Sequence, residues 1–439
     1  SSSPEREKAK KMTLRRYSKK DIQDCIARYE RHHLEQTNPA PRTATELLSG
    51  RKFLHVQAVG NFWTGDHKKE FNRRVTDFVI GAHSFEGDMT FLLTGDRSGV
   101  ALYLALGAEE AARSMLTAAY PGIQLIPVVL RDLQKQLEPR LSSMGMLSGI
   151  PSGKQNPETG KQIPELEAPF HLERIVRGMA GRGAWNPRWA VVIQAHALAG
   201  TNLRKERDDL FEEAANFAGM MRGQLQQSVQ KSKTDTDHEN RVLSEMLGGE
   251  VFNKDAEYAV KLLEHQQARL DAAMATGRWQ VGIYFGAAEP QDYDRLTALL
   301  TGAFAGLESR PEPVRARPCR ADGEPFQKFH SYLTSEELSL LCRPLREEAP
   351  GYQVLDIADF DVAYRPHGKP ALLLGNIWHD GQNTGQEYSI PLEDLPSHGA
   401  VFGVTGSGKT STILGLLHRL RERNPALPFM VIEPAKTEY

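Results

Sequence analysis

Gly403-Val404-Thr405-Gly406-Ser407-Gly408-Lys409-Thr410 is the stretch on which the fold turns. Its spacing is G-x-x-x-x-G-K-[ST], the pattern of a phosphate-binding loop. Glycines at 403, 406 and 408 allow backbone angles that a side chain would forbid. The amides of Val404, Thr405, Ser407 and Ser411 can then turn inward around an anion. Lys409 is placed to reach outer phosphates, and the Thr410 hydroxyl to hold Mg2+. A helix starting near Lys409 adds the positive end of its dipole.

The flanking residues supply the context such a loop needs. Ala400-Val401-Phe402-Gly403-Val404 is a short apolar run and predicts a buried strand. Ser411 to Arg423 predicts a helix, with Ile413, Leu416, Leu417 and Leu420 on one face. Leu427 to Ile432 predicts a second strand. Strand, loop, helix, strand opens a βαβ unit. Only 29 residues follow Thr410, too few to complete a nucleotide-hydrolysing domain. A weaker glycine run, Gly145 to Lys154, has Ser148 at the first glycine position and Gln155 where Ser or Thr would hold the metal. It predicts a surface turn that binds no nucleotide.

Composition narrows the class. The chain has 439 residues, 25% of them charged, with a formal net charge of −2, so no whole-chain basicity argues for nucleic acid. Cys25, Cys319 and Cys342 lack metal-ligand spacing and are odd in number, which points to a reducing cytoplasm. No run has the length and apolarity of a membrane span, and the N-terminus has no apolar signal core. The first 33 residues hold ten Lys or Arg against five Asp or Glu. Such a segment is either a DNA-contacting arm or the charged face of a solvated helix.

The fold class expected is a combination of α/β and α+β, in four regions. Residues 1–45 read as a basic helical appendage, with a helix over Lys19 to Leu34. Residues 46–310 read as an α+β domain. Its signals are a hairpin (Met89 to Thr94, Gly99 to Leu106), a helix (Glu109 to Ala119) and a strand (Ile123 to Leu130), suggesting helices on one face of an antiparallel sheet. Two strands that both begin Arg-Trp, at Arg188 and Arg278, are expected to be neighbours. Between them residues 203–276 predict a helical hairpin, either a partner-binding arm or a cover for the sheet. Residues 311–390 read as a linker and small β layer, with strands over Val354 to Val362, Ala371 to Ile377 and Glu387 to Ile390. Residues 391–439 begin a RecA-like P-loop domain.

Leu374-Gly375-Asn376-Ile377, Tyr388-Ser389-Ile390-Pro391 and Leu395-Pro396-Ser397-His398-Gly399, leading into the loop, together resemble the HerA/FtsK-type ATPases. The segment Val431 to Tyr439, with Glu433, Pro434 and Glu438-Tyr439, is similar to that family's second-strand region. The likeness covers about the last 70 residues. More loosely, Ser148 to Ser152, Arg174, Arg177-Gly178-Met179 and Trp189 resemble larger bacterial members. The resemblance implies ATP and Mg2+ as cofactors, a hexameric ring, and translocation of DNA, in some members beside a nuclease effector in antiphage defence. Conjugation or type IV secretion ATPases are a second implied class. Glu433 and Glu438 are candidate catalytic carboxylates beside Lys409, or local caps and ion-pair partners. A different class of reading is a scaffold that recruits an effector with ATP as an assembly switch. A small-metabolite kinase fits poorly, because about 400 residues precede the loop.

Overall fold

The computed structural model describes residues 18–63, 70–85, 87–153, 171–181, 184–200, 203–232 (side chains through Met221), 253–356, 364–365, 370–379 and 382–432. Two compact units divide the chain, Ser1–Val354 and Leu355–Tyr439. The first therefore runs past residue 310, where the sequence suggested a boundary.

Elements follow in this order: α1 (Lys19–Tyr29), α2 (Ala44–Leu48), β1 (Phe53–Gly60), α3 (Glu70–Ser84), β2 (Asp88–Asp96), β3 (Gly99–Leu106), α4 (Glu109–Ala119), β4 (Gln124–Val128), α5 (Leu130–Leu137) and β5 (Ser143–Ser148). Next come α6 (His171–Gly178), β6 (Trp189–Leu198), α7 (Leu203–Ser232), α8 (Lys254–Thr276), β7 (Arg278–Ala287), α9 (Pro290–Phe304), β8 (Arg315–Pro318), β9 (Ser331–Thr334), α10 (Ser335–Ser339) and β10 (Gln353–Leu355). In the second unit lie β11 (Ala371–His379), β12 (Gln382–Pro391) and α11 (Lys409–Arg423).

A ten-stranded, mostly antiparallel sheet forms the first unit, in the order β10-β1-β3-β2-β6-β7-β5-β8, with β4 beside β1 and β9 beside β7. Alternate side chains serve opposite cores, as the period of two requires. Met89, Phe91 and Leu93 of β2 join one core and Leu92 the other. In β6, Trp189, Val191 and Ile193 face the first, Ala190 and Val192 the second. Burial on both faces explains the nearly continuous apolar runs.

Helices cover both faces, not one as the sequence suggested. Helices α3, α4, α6 and α9 close the larger core, through residues such as Phe71, Leu116, Ile175 and Leu300. On the other side α2 and α5 contribute Leu47, Leu48, Leu133 and Leu137. A single-face arrangement would have left Leu92, Val192 and Tyr284 in water.

The two Arg-Trp strands are neighbours. β6 and β7 run antiparallel from Trp189 opposite Ala287 to Leu198 opposite Arg278, so their Arg-Trp ends lie at opposite ends of the ladder. Helices α7 and α8 pack together, and α1 fills their apolar seam with Ile22 and Cys25, both fully buried. The described part of the first 45 residues is thus built into the unit, where an appendage was expected. The last turns of α8 are tied down by Arg269, whose Nε donates to Glu337 Oε1 at 2.8 Å. Glu337 also accepts from the Thr334 amide and so caps α10.

The Gly145 run is a second correction. Residues Ser143–Ser148 are a buried strand between β7 and β8, not a surface turn. Glycine is needed there for close approach, since a Cβ on Gly145 would lie 2.5 Å from Tyr293 Oη. Gly149 follows at φ +112, and a Cβ there would meet Pro313 O at 2.4 Å.

The three cysteines are unpaired, with Cys25 and Cys342 buried. Among the described residues no helix is long and apolar enough to cross a membrane. Residues 1–17, the polar segment 233–241, Val251 and most of Val354 to Val362 lie outside the described residues.

Two measurements check this packing. Gly149→Ala should lower stability by about 2 kcal/mol or more, read from urea midpoints, because it combines positive φ with a backbone clash. Burial pulls His330 down to about 4, with Arg42 and Arg31 acting in the same direction. Unfolded His titrates near 6.5, so the unfolded chain binds the proton first as pH falls. The contribution of His330 is present above pH 6.5 and is lost between there and about 4. It should amount to roughly 3 kcal/mol. His330→Gln should flatten the pH dependence over that window, and an unchanged slope would show that the ring is not held neutral.

Candidate phosphate-binding site

Residues 403–408 form an exposed loop that runs directly into α11. Gly406 and Gly408 have φ of +84 and +85, the left-handed region that costs other residues about 1–2 kcal/mol. Gly403 meets a different demand. A Cβ at that position would lie 2.3 Å from Ser407 Oγ, so the loop folds back over the glycine. The turn is closed by the Ser407 amide, which donates to Val404 O at 3.2 Å.

Gly408 is the N-cap of α11 and offers no side-chain oxygen to the helix. The first intrahelical bond runs from the Thr412 amide to Gly408 O at 2.9 Å. The amides of Lys409, Thr410 and Ser411 therefore have no carbonyl in a preceding turn. Lys409 Nζ donates to Val404 O at 2.7 Å, which lays the ammonium across the loop. Thr410 is half-buried beside it. Val404, Thr405 and Ser407 belong to the same exposed turn. The loop thus gathers backbone donors, a cation and a hydroxyl within a few residues, a set suited to an anion of several charges.

Two expected strands are absent. Ala400–Val404 and 427–432 are not paired in any ladder among the described residues. A helix makes its hydrogen bonds internally, whereas a strand exists only beside a neighbour. The apolar side chains of these segments stay in solvent, with Phe402 91% and Ile432 84% exposed. Glu433 and Glu438 lie outside the described residues.

The sequence reading missed how α11 is anchored. Arg419 Nη1 donates to Leu373 O and Leu374 O, both at 2.8 Å, and Arg423 donates to Ala371 O. These carbonyls belong to β11, which pairs antiparallel with β12. The signal was present in outline, since Arg419 and Arg423 are four apart and share a helix face. The β12 backbone is occupied by Tyr364, whose hydroxyl donates to Ser389 O at 3.0 Å and accepts from the Ser389 amide at 3.2 Å.

Among the described residues no group of three or more His, Cys, Asp or Glu side chains is placed to hold a metal ion. Mg2+ at a phosphate site does not require one, because substrate oxygens and water supply most of its ligands. No protein-family model matches the chain, and no curated protein is detectably similar to it.

Replacing both arginines tests the anchoring. In an Arg419→Ala, Arg423→Ala variant, amide exchange along α11 should quicken about tenfold or more, since hydrogen bonds from charged groups contribute about 1.5–3 kcal/mol each. Retained protection would mean that the helix is fixed in another way.

Proposed function

We propose that this chain carries the phosphate-binding loop of a P-loop ATPase of the HerA/FtsK type. The observation that carries the reading is the continuity of the loop with α11: two glycines at positive φ, then Lys409 and Thr410 as the first helical residues. Apolar segments on both sides of the helix have the composition of buried parallel strands, which also supports it.

On this reading the amides from Val404 to Ser411 surround the phosphates of ATP. Lys409 exchanges Val404 O for phosphate oxygens, and Thr410 offers its hydroxyl to Mg2+. Bound Mg2+ would screen the charge that develops during phosphoryl transfer. Glu433 and Glu438 are the carboxylates proposed to orient water. The resemblance of residues 374–439 extends the proposal to a hexameric ring that moves DNA, with an effector nuclease as a further partner. The helical insertion is given a structural part in this scheme, because α1 packs into its apolar seam and Arg269 pairs with Glu337.

Nucleotide titration tests the assignment. Lys409→Ala should weaken ATP binding by about a hundredfold and abolish turnover, given the scale of such charge contacts. Thr410→Ala should leave a nucleotide affinity that no longer responds to Mg2+. Undiminished turnover in the Lys409 variant would refute the proposal.

A further inference from the structure

Helix α1 and the hairpin α7–α8 make a hydrophobic cluster of their own, separate from the two cores of the sheet. Helix α1 enters it with Ile22, Cys25, Ile26 and Tyr29, at the i, i+3, i+4, i+7 spacing of a helix lying in a groove. Ile22 and Cys25 are fully buried and share the cluster with Leu210, Phe217, Leu263 and Leu270. Burial pushes the Cys25 thiol up to about 12, as a dry seam requires. Two polar contacts close the rim. Arg28 Nη2 donates to Glu213 Oε1 of α7 at 3.0 Å, and the Tyr258 hydroxyl of α8 donates to Glu30.

The chain that follows α1 is fastened to the sheet instead. Leu34 is buried in the smaller core. Pro39 O accepts from the Arg320 amide at 2.8 Å, and the Ala40 amide donates to Glu324 O at 2.9 Å. Between the two anchorages stands Arg31, at φ 55 and ψ 44. Its Nη2 donates to Lys328 O at 2.5 Å, so its side chain belongs with the sheet side. Among the described residues it is the only non-glycine at positive φ, a conformation strained for a residue with a Cβ. The turn that lays α1 on its own hairpin is therefore made through a strained residue.

What the seam recognises in α1 sits on an eleven-residue helix with its own capping box. The same helix of another copy offers the same four apolar side chains and the same guanidinium. Opening the turn at Arg31 relieves the strain, and two copies that trade helices re-form each contact of the closed chain. Exchange of an identical element is a low-cost route to association.

We propose that the α7–α8 seam is a docking surface for helix α1 of a second copy of this chain, exchanged about Arg31. The exchange does not involve the phosphate loop and would stand if that reading failed.

Two full-length variants test it, because Arg28 and Glu213 fall on opposite sides of the exchange. Both side chains lie on the rim, so the variants keep the apolar lining. In Arg28→Glu or Glu213→Arg alone, like charges meet across the seam, in the closed chain and in an exchanged pair alike. Helix α1 should open more often. A helix of this length is marginal alone, so its amides should exchange with solvent about fivefold faster than in the parent. In a mixture of the two variants, trading helices between unlike chains sets opposite charges face to face on both seams. Protection of residues 19–29 should return to the parent level, rising with total concentration, and a tag on one variant should retain the other. Amides that stay fast in the mixture at every concentration, protection that returns independently of concentration, or a tag that retains none of the other chain would each overturn the proposal.

Discussion

Ten successive residue pairs between β6 and β7 hold the first unit together. Every other strand is placed outward from that ladder, β2, β3 and β1 on one side, β5 and β8 on the other. Because side chains alternate, a slip of one residue would turn Trp189, Val191, Phe285 and Ile283 from the larger core toward the smaller one. Trp189 also fixes its neighbour, since a Cβ on Gly95 would lie 2.5 Å from the indole. The pairing is long-range, with a helical insertion of some eighty residues between its strands, so its closure entropy must be met by extensive burial.

Much of this was legible in the chain. The β2–β3 hairpin and α4 announce themselves by period and turn chemistry, and the shared Arg-Trp start marked β6 and β7 as neighbours. The loop at 403–410 was legible because its glycines do local work that needs no tertiary partner. Glycine misled where its role was tertiary. Gly145 and Gly149 make room for Tyr293, Phe285 and Pro313, none of which is near in sequence. The strands expected at 400–404 and 427–432 failed for the opposite reason, because apolar composition is necessary for a strand and a ladder partner is what completes it. Nothing local marks Arg343 as buried, since its burial is created by residues as distant as Phe71 and Tyr120.

The second unit solves the edge problem with side chains. A two-stranded ribbon presents unpaired backbone groups on both sides and is marginal alone. Here guanidinium groups take up carbonyls of β11, and a single tyrosine hydroxyl serves both the amide and the carbonyl of Ser389 on β12. The Tyr364 ring also lies tilted against that of Tyr388, with ring centres 4.7 Å apart, which holds the hydroxyl in position.

Helix α11 joins two of these features in one rod. Its fifteen residues span roughly 22 Å. At one end stands the Lys409 loop, and over the last two turns the arginines grip the ribbon. A rod transmits displacement without loss. A shift of an ångström or two at the glycine end must therefore either carry the ribbon along or pull the guanidinium groups off the β11 carbonyls. In the second case the bared edge becomes a template on which another strand can pair.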